Sequence, residues 1–116
     1  REALKTIINC IRIVQEDKAS IGVFPEGYIH GDNLLHTFRS GVFKIAQKAQ
    51  VPIVVCTLKN TLPVVPNILH LRASHVELDV LGVIDVDTVK TLKTVEIADM
   101  AHAMMAENLG PDLVTD

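Results

Sequence analysis

A continuous apolar run in the middle of the chain, Ile53-Val54-Val55-Cys56-Thr57-Leu58, constrains the fold more than any other stretch. It is rich in β-branched residues and too short for a buried helix, so it predicts a strand. Because successive side chains point to opposite faces, a strand that is apolar throughout should be covered on both. A mostly parallel sheet between layers of helices provides that burial, so the run predicts an α/β fold.

Helical patterns flank this strand on both sides. Apolar residues at helical spacing, with polar residues between them, predict amphipathic helices. The predicted helices cover about residues 2–16, residues 40–49, and the stretch from Thr94 to the Gly110-Pro111 stop.

Two weaker strand patterns and two connections complete the chain. Residues 21–24 form a short apolar run that predicts a buried strand, and residues 76–83 alternate as a half-exposed edge strand does. The prolines within residues 59–70 predict a loop, and residues 85–93 a connection with one helical turn. We therefore expect one domain over residues 1–110, with residues 111–116 as a frayed tail.

Composition excludes several classes of function. The 116 residues carry a formal net charge of −3, include 3% aromatic residues and contain no Trp, which argues against a nucleic-acid partner. Cys10 and Cys56 lack metal or redox spacing and are expected to be free thiols. The sequence shows no signal peptide, and no apolar run approaches the roughly 20 residues that span a bilayer.

The tetrapeptide Phe24-Pro25-Glu26-Gly27 places a carboxylate where a predicted strand ends, which is where α/β proteins build their sites. Arg39, Lys44 and Lys48 follow on and around the next helix. A carboxylate near several cations suits a phosphorylated ligand. On spacing alone, a solvated turn and a solvated helix face explain these residues at least as well.

Metal and nucleophile chemistry find little support. The five histidines have no partners at zinc-site spacing, and the chain lacks serine-hydrolase and phosphate-loop motifs. His30 and Asp32 form a pair that usually makes turn hydrogen bonds, and His102 on the last helix is expected to be a packed or surface residue. We expect no metal site.

Four stretches, in order, resemble the glycerolipid acyltransferases, the 1-acyl-glycerol-3-phosphate acyltransferase family. Phe24-Pro25-Glu26-Gly27 is similar to the family's third conserved block, Phe-Pro-Glu-Gly-Thr-Arg-Ser, and Val51-Pro52-Ile53-Val54-Val55 to the fourth, Val-Pro-Ile-Val-Pro-Val. Residues 38–46 resemble the helix start between the two blocks, and residues 1–4 the helix after the second block. The resemblance implies a glycerol-3-phosphate acyltransferase-like fold that is incomplete at its N-terminus.

The family transfers a fatty acyl group from acyl-CoA or acyl-carrier protein to the hydroxyl of lysophosphatidate in phospholipid synthesis. Its third-block Glu and nearby cations hold the acceptor phosphate, so the resemblance implies that Glu26, Gly27 and Arg39 bind substrate. It implies no bound cofactor, a lysophosphatidate-like acceptor and an acyl donor. It also implies that the whole protein works at the cytoplasmic face of a membrane, whereas this piece is expected to be soluble.

The chain departs from the family pattern in three ways. Tyr28-Ile29-His30 replaces Thr-Arg-Ser, and Val55 stands where the fourth block has its second Pro. No His-x4-Asp catalytic dyad occurs, since His75 and Asp79 are one position too close. We therefore expect the C-terminal part of an acyltransferase, with its dyad upstream of Arg1 and no catalytic residue here. The alternative is a non-catalytic lipid- or protein-binding member of the same fold. Missing strands would leave an unmatched sheet edge or face, which predicts a homo-oligomer.

Overall fold

A computed structural model describes residues 1–115. In chain order the elements are α1 (Glu2–Gln15), a 3₁₀-helix (Ser40–Phe43), α2 (Lys44–Ala49), β1 (Ile53–Lys59), α3 (Val64–Leu69), β2 (Glu77–Ile84), α4 (Val86–Thr91), α5 (Thr94–Leu109) and a second 3₁₀-helix (Pro111–Leu113).

The long helices lie where the apolar periodicity predicts them. α1 spans Glu2–Gln15, and α5 spans Thr94–Leu109. Lys93 takes the N-cap position of α5, and its N–H donates to the Glu96 carboxylate at 2.9 Å. Gly110 follows the helix with a φ of 87°, a conformation that favours glycine. Both helix predictions are confirmed.

α3 lies in the region predicted to be a loop. Pro66 is the third residue of this helix and Pro63 directly precedes it. The first N–H groups of a helix have no intrahelical partner, so proline is tolerated there and does not prevent the helix. The prolines therefore mark the start of α3.

The predicted mostly parallel sheet is wrong for this chain. The sheet of the described residues has two strands, β1 and β2, and they pair antiparallel with Ile53 opposite Ile84 and Lys59 opposite Glu77. Residues 60–76 turn back beside β1 and do not cross over the sheet, and such a return can only give an antiparallel pair.

The predicted strand over residues 21–24 is also wrong. This segment has no regular secondary structure, and the side chains of Val23 and Phe24 are 44% and 76% exposed. No other segment of residues 1–115 pairs with it as a strand, so its apolar side chains lack the burial that a sheet would give them.

β1 is covered on one face and bare on the other, which corrects the prediction of two covered faces. Val55 and Thr57 are 2% and 4% exposed on the side of α5, whereas Val54 and Leu58 are 57% and 45% exposed. Cross-strand partners share a face, so the bare surface continues onto β2. We call it the open sheet face, and it comprises Val54, Cys56, Leu58, Leu78, Val80 and Val83.

The core lies between the covered sheet face, α5, α4 and the 3₁₀–α2 segment. Its buried members are Phe43, Ala46, Val55, Ile84, Val89, Ile97, Ala98 and Ala101. α5 contributes Ile97 and Ala101 to this core, and Met104 and Met105 pack at its margin. The Gln47 amide ties α2 to the end of α4 by donating to the carbonyl of Leu92 at 2.6 Å.

Residues 111–115 differ from the frayed tail that the sequence predicts. The N–H of Leu35 donates to the Leu113 carbonyl at 2.7 Å, and the N–H of Thr115 donates to the Leu35 carbonyl at 2.9 Å. The tail thus anchors the middle of the 28–38 loop. Asp116, the last residue of the predicted tail, lies outside the described residues.

A polar network joins the sheet to the C-terminal end of α5 and should make stability depend on acid pH. The Asn108 amide donates to Asp79 at 3.2 Å and accepts from the Thr57 hydroxyl at 2.7 Å. Lys59 lies 3.1 Å from Asp79, and the hydrogen bonds from Lys59 and then Asn108 hold the pKa of Asp79 below its ordinary value of 3.8.

A lowered pKa in the folded state adds stability above the ordinary pKa, and this stability is lost as pH falls through the lowered pKa. We therefore expect the melting temperature of the wild-type chain to drop below about pH 4 more steeply than that of Asp79→Asn. Thermal unfolding followed by circular dichroism across this range measures it. Asp99→Asn, a change at an exposed carboxylate of α5, should retain the wild-type slope. An equal acid slope in Asp79→Asn would contradict the role given to the network.

Candidate functional site

A tight turn at Phe24-Pro25-Glu26-Gly27 forms the base of the candidate site. The N–H of Gly27 donates to the Phe24 carbonyl at 3.2 Å. Pro25 is buried, and its carbonyl accepts the N–H of Arg39 at 2.8 Å. Residues 28–38 therefore leave the turn and return to it as a closed loop, which we call the site loop.

Glu26 holds the returning half of the site loop. Its Oε2 accepts the backbone N–H of His36 at 2.9 Å, and the side chain is partly buried. Among the described residues its other oxygen, Oε1, has no hydrogen-bond partner. One carboxylate oxygen thus fixes the loop, and the other remains able to accept a hydrogen bond from a ligand hydroxyl.

Gly27 and Arg39 are in direct contact. Gly27 has a φ of 90°, and a Cβ atom built on it would lie 2.7 Å from Nε and 2.9 Å from Cδ of Arg39. The arginine side chain therefore crosses directly over the glycine. Two independent constraints, the backbone conformation and the space, select glycine here.

A stack of side chains continues from Arg39 along the site loop. The guanidinium carbon of Arg39 lies 5.9 Å from the centroid of the Tyr28 ring, and that ring lies 4.1 Å from His30. His30 stacks in parallel on His36 at 3.5 Å with an interplanar angle of 7°. The stack ends where Nε2 of His36 meets Oδ2 of Asp32 at 2.7 Å. We call this series, from Arg39 to Asp32, the Arg–His stack.

In the Arg–His stack, the Tyr28 ring contacts the Arg39 guanidinium without neutralising its charge. Within residues 1–115 no carboxylate lies at ion-pair distance from Arg39, whose side chain is exposed. A planar, permanently charged guanidinium that lies over one aromatic ring keeps its donors free for an anion.

Asp32 stabilises the far end of the loop. Its Oδ1 accepts the N–H of Leu34 at 3.1 Å. That hydrogen bond, followed by the contact with His36, holds the pKa of Asp32 below its ordinary value. Asp32 thus makes the turn hydrogen bond that the sequence favours over a ligating role, and residues 1–115 contain no cluster of three side chains suited to a metal ion.

The structure brings together the three residues that the sequence predicts as substrate ligands, Glu26, Gly27 and Arg39. The other two predicted cations, Lys44 and Lys48, lie exposed on α2 and form no ion pair within the part of the chain that the structure describes. The contribution of Tyr28 and His36 is not evident from the sequence, because it depends on the return of the loop to Glu26.

The remaining histidines do not join the site. His75 faces Glu77 at 3.6 Å, whereas Asp79 faces Lys59 and Asn108, so His75 and Asp79 do not form a dyad. His102 packs edge-on against Phe38 with a centroid separation of 4.9 Å, in line with a packed residue.

An apolar groove of about 950 Å³ begins beside Glu26. It lies between the 17–26 segment on one side and β1 on the other, and Phe38, Met105 and Leu109 contribute to its walls. The groove exists because residues 21–24 stand away from β1 and do not pair with it. A polar corner that opens into an apolar groove is suited to a ligand with one charged and one apolar end.

None of the helices among the described residues is both long and apolar enough to cross a bilayer.

Comparison with known proteins defines the class. The Acyltransferase family model matches residues 1–59, which include α1, the Phe-Pro-Glu-Gly turn, the site loop and β1. Because this is half of the chain, the chain belongs to the Acyltransferase family, and the predicted family is confirmed.

One curated relative is the chloroplastic 1-acyl-sn-glycerol-3-phosphate acyltransferase BAT2 of Brassica napus. It is 36% identical over 66 residues, which cover 57% of this chain and 19% of that protein. The chain thus matches about a fifth of the relative's length. No solved structure matches the chain.

Proposed function

We propose that this chain forms the acceptor-binding corner of a 1-acylglycerol-3-phosphate acyltransferase. The whole protein would transfer a fatty acyl group from acyl-CoA or acyl-carrier protein to the free hydroxyl of a lysophosphatidate-like acceptor at the cytoplasmic face of a membrane. The observation that carries the proposal is the Arg39 guanidinium, exposed, without a carboxylate partner among residues 1–115, and fixed across Gly27 beside Glu26.

The corner matches the polar end of such an acceptor. Arg39 can bind two phosphate oxygens through its planar fork, and the held ring of Tyr28 limits the motion of that fork. Oε1 of Glu26 can accept a hydrogen bond from the glycerol, while Oε2 keeps the site loop closed. These contacts would position the hydroxyl for attack, and positioning contributes much of the rate of a two-substrate reaction.

The reaction itself needs a base that this corner does not supply. The acceptor oxygen bonds to the thioester carbonyl carbon, the carbon–sulfur bond breaks, and the hydroxyl proton passes to the base and then to the leaving thiolate. The chain has no His-x4-Asp dyad, so the proposal assigns this step to residues outside residues 1–116.

The apolar groove beside Glu26 supports the same proposal. An acyl chain is apolar along its length, and the 17–26 segment and β1 present mostly apolar walls. A lysophosphatidate whose phosphate binds Arg39 would have its own acyl chain near the entrance of this groove.

The alternative function is a non-catalytic lipid- or protein-binding member of the family. The replacement of Thr-Arg-Ser by Tyr28-Ile29-His30 and the absence of the dyad favour it. A full-length protein that binds lysophosphatidate but transfers no acyl group would establish this alternative.

The phosphate role of Arg39 gives the central test. In the full-length protein that carries this sequence, Arg39→Gln should raise the KM for lysophosphatidate about tenfold or more, because one charge-assisted contact is worth about 1.5–3 kcal/mol. Glu26→Gln should produce a smaller rise, since the amide can still accept one hydrogen bond. Steady-state assays with lysophosphatidate and with monoacylglycerol, which lacks the phosphate, separate the two roles.

The matched control for Arg39→Gln is Lys48→Gln, which removes the same charge from the exposed face of α2. It should leave both acceptors unaffected. If Arg39→Gln weakened the use of lysophosphatidate and monoacylglycerol equally, Arg39 would not bind the phosphate.

A further inference from the structure

The connection between β1 and β2, residues 60–76, projects from the sheet as a closed unit that we call the α3 knob. Its base is closed by the Asn60 amide, which donates to the carbonyl of His75 at 2.6 Å. Within it, the N–H of Arg72 donates to the Asn67 carbonyl at 2.7 Å. The knob therefore holds its shape through its own hydrogen bonds.

The α3 knob exposes a dense set of aliphatic side chains. Five of them are more than half exposed, namely Leu62 (51%), Val65 (66%), Ile68 (63%), Leu69 (77%) and Leu71 (96%). No residue of α3 is buried, and no other helix or strand within the described 115 residues packs extensively against it. Exposed aliphatic clusters of this kind mark surfaces that bind another protein, a membrane or an apolar ligand.

The α3 knob carries one formal charge, the guanidinium of Arg72. Residues 60–76 contain no Asp or Glu. Arg72 has no carboxylate at ion-pair distance in the part of the chain that the structure describes. A cation beside exposed aliphatic side chains complements a membrane surface, where anionic headgroups lie above the acyl chains.

We propose that the α3 knob is a membrane-docking surface that inserts its aliphatic side chains among the lipids of an anionic bilayer. Because α3 and the base of the knob keep their own hydrogen bonds, insertion of the exposed side chains does not require the chain to unfold. The open sheet face is equally apolar but carries no charge, so it offers nothing that distinguishes a bilayer from another protein. The proposal does not rest on acyl transfer, since it concerns binding alone.

The chain has no Trp, so a single introduced Trp reports on its own position without ambiguity. Leu69→Trp places the probe on the knob, and Val80→Trp places it on the open sheet face at a similar exposure of 66%. The vesicles contain phosphatidylcholine with or without phosphatidylglycerol, and their acyl chains carry bromine as a quencher.

We expect the emission of Leu69→Trp to shift to the blue and to be quenched by brominated vesicles, while that of Val80→Trp is unchanged. Binding should be about fivefold tighter to vesicles that contain phosphatidylglycerol than to vesicles of phosphatidylcholine alone, because one cation lies near the anionic surface. Arg72→Gln should remove this preference.

A charge placed in the knob tests the apolar contribution to binding. Leu71→Glu should abolish vesicle binding, whereas Leu4→Glu, at a 61% exposed position on α1, should not. Circular dichroism establishes that each variant keeps its helix content.

Three results would overturn the proposal. Quenching of Val80→Trp without quenching of Leu69→Trp would assign lipid contact to the open sheet face. Quenching of neither probe would exclude both surfaces. A blue shift of Leu69→Trp that grows with protein concentration in the absence of vesicles would assign the knob to contact with a second copy of the chain.

Discussion

Gly27→Ala is expected to disable the candidate site more severely than any other single-methyl change in the chain. The new Cβ would lie 2.7 Å from Nε of Arg39, so the guanidinium must move away from its position across the turn. Alanine also resists the φ of 90° at this position, at a cost of about 1–2 kcal/mol. We expect lysophosphatidate affinity to fall at least about tenfold, measured by titration calorimetry and by KM in the full-length protein.

Two other glycines provide matched controls. Gly31 lies in the same site loop with a φ of 77°, but no described side chain lies within 4 Å of an added Cβ. Gly31→Ala thus measures only the effect of placing alanine at a positive φ, without a collision between side chains. Gly22→Ala introduces neither strain nor contact and should behave as wild type.

The three glycine variants together separate the displaced arginine from the backbone strain. If Gly27→Ala and Gly31→Ala lost affinity equally, the displaced arginine would not be the cause. The double variant Gly27→Ala/Arg39→Ala should bind more weakly than Arg39→Ala alone only by the cost of the backbone strain at residue 27, because the collision is gone and the phosphate contact is already lost.

Ile97→Ala is expected to cause the largest loss of stability. Ile97 on α5 is fully buried at 0% exposure, in contact with the core cluster that joins the helix to the sheet. Removing its buried methylene and methyl groups leaves a cavity, and such changes cost about 2–5 kcal/mol. Since domains are stable by about 5–15 kcal/mol, much of the free energy of unfolding would be lost.

Urea denaturation measures this loss as a fall in the midpoint at constant m-value. Val95→Ala is the matched control, because Val95 is also β-branched and lies on the same helix, yet it is 56% exposed. A change within about 0.5 kcal/mol is expected for it. A loss for Ile97→Ala no greater than that for Val95→Ala would show that α5 does not form the core.

The apolar patterns of the sequence predict individual helices and strands well. They predict poorly which segments pair with these elements or pack against them. α1, α5 and β1 follow from periodicity and β-branched content, which depend on neighbours within a few residues. The parallel sheet does not follow, because an apolar strand indicates that both faces favour burial, not that both are buried. In this chain one face of β1 is bare, so the inference from pattern to sheet type fails.

The site shows the same division. The family resemblance predicts Glu26, Gly27 and Arg39 as substrate-binding residues, and the structure brings all three together. The hydrogen bond from the His36 N–H to Glu26 instead joins residues ten positions apart in the sequence. No periodicity encodes such a contact, since it arises only when the site loop closes.

The open sheet face contains a cysteine whose reactivity depends on whether that face is covered. Cys56 is a free thiol and stands opposite Val80 at the middle of that face. Alkylation requires a thiolate that the reagent can reach, so its rate at this sulfur falls whenever another surface covers the two strands. Cys10, on α1, serves as an internal reference for reagent strength. The alkylation rate of Cys56 relative to that of Cys10 therefore reports whether another surface covers the open sheet face.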